Sequence, residues 1–368
     1  MYFKMNAGAA CLVFWLSLLT EVQGTIFDVK KFGAKADGKS DDCKAFASAW
    51  KAACSCMTPS TLVIPKGEYM VAQLMFQGPC KAPVTFQLQG TLKAPTVMNK
   101  MKSQDGWLAF LDIDGLTVLG GGTFDGQGSA AWASNNCAKT GKCNSLPANL
   151  RITKVTNSKI QDITSLNSKL FHMNILGCKN LTLQHITITA PENSLNTDGI
   201  HIGRSSGINI TDTNIQTGDD CVSLGDGSQQ VNVEKVTCGP GHGISIGLRH
   251  GQLLLVALPP ICILRISSMN NVSNPILIDQ EYCPYGQCQT KVPSRIRISD
   301  VSFKNIRGTS ATELVVKLVC SRGLPCQKVD ICDVNLTYNG NGAATSECAN
   351  VKPTISGKQF PPVCTRTT

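Results

Sequence analysis

The chain has 368 residues, 42% of them hydrophobic and 16% charged, with a formal net charge of +9. That balance excludes a disordered chain, and 6% aromatics beside 33 glycines speak for turn-rich β structure over a helix bundle. The basic excess suits an acidic polymer, whereas scattered lysines without an arginine cluster or interleaved aromatics exclude a nucleic-acid surface.

The first residues read as a secretory signal: Lys4 is basic, Ala9 to Leu19 is almost wholly apolar, and Val22-Gln23-Gly24 offers small residues for cleavage after Gly24. Residues 1–24 are therefore set apart from a single domain over 25–368. No stretch approaches the ~20 apolar residues of a membrane span, so no membrane is expected. Cys11 falls in the signal, which leaves 17 of the 18 cysteines for an exported chain, where disulfides are expected. The odd count predicts one unpaired thiol, assigned to Cys262. Cys54-Ser55-Cys56 is too tight for paired zinc ligands, and neither metal nor cofactor is expected. Asn180, Asn209, Asn271 and Asn335 head Asn-x-Ser/Thr sequons, possible glycan sites on an exported surface.

After Phe27-Asp28-Val29 and a turn at Gly33 and Asp37-Gly38, a helix is expected with Ser40 or Asp41 as its cap and Phe46, Ala49, Trp50 and Ala53 on its apolar face. It would cover one end of a stacked β structure, whose open edge would otherwise pair with other chains. Short alternating segments follow: Thr61 to Pro65, Tyr69 to Val71, Val84 to Leu88 and Leu116 to Leu119. The glycine run Gly120 to Gly128 reads as a turn series. Without the Walker lysine it is no phosphate cradle.

From Ser158 the text repeats. Ile160-Gln161-Asp162-Ile163, Leu181 to Ile188, Ile208-Asn209-Ile210 and Val231-Asn232-Val233 start 21, 27 and 23 residues apart. Ile296-Arg297-Ile298 and Val329-Asp330-Ile331 read as later copies. Short β-branched strands, Asn/Gly turns and periods in the low twenties predict an all-β, parallel β-helix solenoid. A propeller needs longer repeats, and a TIM barrel needs alternating helices.

The acidic residues follow the same period. Asn196-Thr197-Asp198, Asp219-Asp220-Cys221 and Gly241-His242-Gly243 succeed one another, with 21 residues from Asp198 to Asp219 and 22 from Asp220 to His242. One coil apart in a β-helix is about 4.8 Å, which makes these groups neighbours. Asp219 and Asp220 can share a face only if the backbone turns there, and Gly218 is placed to allow it. Mutual repulsion among three carboxylates should raise at least one pKa and set a protonated acid beside an ionised one. Acid–base cleavage of a glycosidic bond requires that pairing.

These motifs resemble the signatures of the polygalacturonases, pectin-degrading hydrolases of glycoside hydrolase family 28. The longer runs Asn196 to Ser205, Cys238 to Gly247 and Asn274 to Pro284 are similar to plant pollen-type exopolygalacturonases, and likeness extends from about Phe27 to Cys364 with one interruption. The resemblance implies a right-handed β-helix, an acidic polysaccharide (homogalacturonan) as partner, a monomer in the cell wall, and metal-free inverting hydrolysis. It implies Asp219 as general acid, Asp198 and Asp220 as holders of the attacking water, and His242 as tuner of the acid. Asn196 and Tyr282 would contact substrate, and Cys221 and Cys238 would form a disulfide beside the site.

One family motif is missing. An Arg-Ile-Lys should follow Gly-His-Gly by about one and a half coils and bind the substrate carboxylate, a task suited to fixed cations. Instead Leu248 to Ser267 is an unrelated run that includes Leu253-Leu254-Leu255 and Pro259-Pro260. It predicts the loss of a block of about one coil, by deletion or mis-joined coding sequence, with a buried strand in its place. Arg265-Ile266-Ser267 and Arg295-Ile296-Arg297 are not substitutes. Two further readings stand beside the hydrolase: a catalytically impaired β-helix wall protein that only binds pectin, and a calcium-dependent pectate lyase, which the aspartate motifs disfavour.

Overall fold

The computed structural model describes residues 24–97, 101, 106–135, 146–247, 262–283, 293–364 and 366–367. The signal-like segment 1–23 and most of the apolar run, 248–261, lie outside them. The chain winds as a right-handed parallel β-helix. Strands of successive coils stack into one sheet of 16 and another of 11. Val84–Leu88 and Leu116–Leu119 form as the alternation predicts.

Alternation sets the interior. Leu183, Ile210 and Val233 pair in register along the larger sheet, and Ile175, Ile202, Leu224, Ile246 and Ile278 do so along the smaller one. All are buried. Each such row removes apolar surface from water at about 25 cal/mol per Å². At the corners between faces, stacked positions take left-handed backbone: Asn157, Asn180, Gly207 and Gln230 have φ of 49°, 52°, 68° and 51°. Asn and Gly tolerate that region, which explains why they hold three of these four corners.

Three expectations need correction. Leu181 pairs with Ser158, so Ile160 is in register with Leu183; the strands start earlier, at Thr156 and Lys179, where exposed polar residues hide them from a hydrophobic count. Ile296-Arg297-Ile298 precedes its strand, Ser299–Ser310. Inside the glycine run, Thr123–Asp125 is a strand, with Phe124 buried beside Leu92 in a short third ladder. The N-terminal helix spans Cys43–Cys54 and buries Phe46, Ala49, Trp50 and Ala53. Its cap is Asp42, whose carboxylate instead accepts from the Lys35 and Ala36 amides; Asp41 accepts from the Cys43 amide.

Both ladders continue past the anomalous segment. Cys262–Val272 pairs with Gln229–Cys238 on one side and Ser299–Ser310 on the other, while Ile244–Gly247 pairs directly with Ile276–Asp279. The part of the run that is described is thus a strand, as expected. Disulfides join Cys54–Cys80, Cys221–Cys238, Cys320–Cys326 and Cys348–Cys364. Cys43, Cys56, Cys178 and Cys332 are free, so parity arithmetic that left Cys262 as the single odd thiol fails. Cys178 packs in the core as a small apolar side chain. The sequon residues Asn180, Asn209, Asn271 and Asn335 all lie on the larger sheet.

Candidate active site

Strands Ile200–Gly203, Val222–Leu224 and Ile244–Gly247 lie side by side with Ile200, Val222 and Ile244 paired. Asp198, Asp220 and His242 each precede such a residue by two, so they occupy equivalent positions of three consecutive coils. Asp219 and Asp220 sit outside any strand, in the bend between Ser206–Gln216 and Val222–Leu224, which frees both side chains for one groove. Gly218 is required by close approach: a Cβ there would lie 2.0 Å from the Ser194 carbonyl oxygen. The expected Cys221–Cys238 disulfide ties the far end of the bend to the end of the following coil's strand, Gln229–Cys238.

Hydrogen bonds fix each carboxylate. Asp198 Oδ2 accepts from Ser223 Oγ at 2.9 Å, and Asp220 accepts from Ser245 Oγ. Asp219 Oδ1 accepts from the Asp220 amide at 2.8 Å and lies 2.9 Å from His242 Nδ1. Its Oδ2 accepts from Asn196 Nδ2 at 3.4 Å, and Asn196 reaches it from left-handed backbone at φ 55°. Asp198 is only 7% exposed.

Burial raises the Asp198 pKa well above the usual carboxylate range, with the charges of Asp219 and Asp220 adding and Ser223 opposing. Burial likewise raises Asp220 to about 7, helped by the Asp219 charge and opposed by Ser245 and His242. Desolvation is the larger cause in both cases, and the expected mutual repulsion adds to it. The hydrogen bond to Asp219 raises His242. The cluster therefore holds protons into the neutral range.

The groove, about 460 Å³, also takes in Tyr282, half-exposed at its rim, and Phe171, stacked on His201 at 5.1 Å. At its far end Asp279 pairs with Lys317 Nζ at 2.6 Å. Arg265 is exposed on the other sheet, and Arg295 and Arg297 lie on the segment leading to Ser299–Ser310; none lines the groove. The same sheet face runs upstream through Asn174 and Arg151 to a second depression of about 380 Å³. Sequence reasoning missed His201, Ser223, Ser245, Phe171, Asp279 and Lys317. His201, Ser223 and Ser245 were recoverable, since each stands three residues after Asp198, Asp220 or His242.

Among the described residues, the group of three side chains able to offer close metal donors is Asp219, Asp220 and His242, with donor atoms within 4.8 Å. Within that group His242 Nδ1 lies 2.9 Å from Asp219 Oδ1.

Stacked carboxylates in a groove on a parallel β-helix define an acid–base glycosidase. The profile of the glycosyl hydrolases family 28 matches residues 54–252 and 265–358. An exopolygalacturonase of Arabidopsis thaliana is 52% identical, aligned over 93% of this chain and 84% of that one. An exopolygalacturonase of Platanus acerifolia is 48% identical, over 92% and 98%. The endo-xylogalacturonan hydrolase of Aspergillus tubingensis shares the fold at a TM-score of 0.71 and 19% identity, covering 91% of this chain and 100% of its own. The chain belongs to glycosyl hydrolases family 28, as its motifs led one to expect, and is a polygalacturonase-type hydrolase. The interruption is visible as well: residues 253–264 fall outside the family match. The Arabidopsis alignment spans 373 positions yet draws on only 93% of 368 residues, so about 30 of its positions face a gap in this chain.

Proposed function

We propose that the chain is an exported polygalacturonase that hydrolyses α-1,4-galacturonosyl linkages of homogalacturonan in the cell wall. Export would follow cleavage after Gly24. The observation that carries the reading is the clustering of Asp198, Asp219 and Asp220 with His242 in one groove. Asp219, held by Asn196 and His242, is the general acid that protonates the leaving oxygen. Asp198 and Asp220 bind the attacking water and take its proton, which gives inversion at the anomeric carbon. Tyr282 contacts a sugar at the rim. The names of the similar plant relatives favour exo action.

The alignment gap and the unmatched residues 253–264 support the loss of about one coil between His242 and Asn274. The direct pairing of Ile244–Gly247 with Ile276–Asp279 agrees with a solenoid that closes over such a loss. An impaired enzyme that retains pectin binding is the second reading; its motive is that among the described residues no Arg-Ile-Lys lines the groove. Product analysis on polygalacturonic acid separates the two. Galacturonic acid released stepwise supports the hydrolase, and binding without product supports the impaired form. Loss of activity in chelator would instead point to the lyase reading.

A further inference from the structure

Beneath the carboxylates, His201, Ser223 and Ser245 occupy paired positions of three adjacent strands. Ser223 Oγ lies 2.9 Å from Asp198 Oδ2 and 2.8 Å from His201 Nδ1. A hydroxyl has one proton to give. When Asp198 is ionised it can only accept, so Ser223 donates to it and must itself accept from the Nδ1–H of His201. That leaves Nε2 of a neutral ring without a proton. Burial favours the neutral ring, and the Asp226 charge acts against it. The ring is clamped by the Phe171 stack, with an interplanar angle of 29°, and by Gly225, whose missing Cβ would stand 3.4 Å from Nε2.

We propose that His201 is a positioning residue: by donating to Ser223 it keeps the serine hydroxyl proton aimed at Asp198, so that this buried carboxylate can serve as base. The proposal rests on the base role assigned to Asp198 above. Burial and the charges of Asp219 and Asp220 oppose ionisation of that carboxylate, and besides Ser223 only a backbone hydrogen bond at Asp198 itself favours it; His242 acts on Asp220 and Asp219. Without His201, Ser223 can rotate and donate elsewhere, and the one side chain that favours the ionised form is lost.

The test compares pH profiles of kcat/KM on oligogalacturonates for His201→Leu, His201→Asn, Ser223→Ala and the Leu/Ala double variant. The acidic limb should move up by about one pH unit in the Leu and Ala variants, a loss of about tenfold on that limb. The double variant should shift no further than Ser223→Ala, and His201→Asn, whose Nδ2 can donate from near the Nδ1 position, should restore most of the limb. Ser223→Ala removes only one oxygen, which guards the test against misfolding of the histidine variants. An unmoved limb in folded His201→Leu, or shifts that add in the double variant, would overturn the proposal. Should the wild type prove inactive, the polygalacturonase reading fails separately. The Asp198 ionisation can then be followed by the carboxyl infrared difference against Asp198→Asn, where an unshifted titration in Ser223→Ala or His201→Leu again overturns the proposal.

Discussion

Replacing Asp220 by Asn should stabilise the protein at pH 8 and leave it nearly unchanged at pH 4. Burial lifts the Asp220 carboxyl from 3.8 to about 7 in the folded state. A raised folded pKa means that the native state binds the proton more tightly than the unfolded chain does. Stability therefore rises as pH falls from above 7 towards 4, and the full penalty is present only above the folded value. Three units at 1.36 kcal/mol each amount to about 4 kcal/mol. Asp220 keeps a partly exposed edge on the groove, where water screens the charge, so about 2–4 kcal/mol is the working range. Asn preserves the acceptor for Ser245 and removes only the charge, which also relieves Asp198. Denaturant midpoints of both proteins at pH 4, 6 and 8 would read the effect. An equal difference at all three pH values, or a destabilised variant at pH 8, would refute the reasoning.

Converting Cys221 and Cys238 together to serine opens a disulfide between residues 17 apart and should cost about 3 kcal/mol, measurable by denaturation with and without reductant. Activity should fall with it, because Cys221 anchors the bend that carries Asp219 and Asp220. Lys317→Met strands the Asp279 carboxylate, whose side chain is 8% exposed, and should destabilise by about 3 kcal/mol. Adding Asp279→Leu should recover most of that loss, and a double variant as unstable as the single would contradict the pairing.

The fold was legible because each β-helix coil repeats its own instructions. Leu183, Ile210 and Val233 mark the interior, and Asn or Gly marks most of the corners that need left-handed backbone, Gln230 being an exception. Register was less legible: coil length varies, and strands open on polar residues such as Lys179, so apolar starts mislead by a dipeptide. In the site, Asp198, Asp219, Asp220 and His242 stood out because carboxylates and histidine at coil spacing have few structural uses. The supporting serines did not stand out, because Ser223 and Ser245 look like ordinary strand residues until the coils are aligned. Cysteine pairing was the least legible, since parity says nothing about burial and Cys178 is content as a core side chain. Asp279 and Lys317, 38 residues apart, meet only because the coils place Asp279 and Val319 on neighbouring strands.

The most direct test of the account is the release of reducing ends from polygalacturonic acid by the wild type and by Asp219→Asn, both with native circular dichroism. Loss of the general acid should lower kcat by at least about a hundredfold, with little change in binding. Equal rates in the two proteins would contradict the assignment of this groove as the site of hydrolysis.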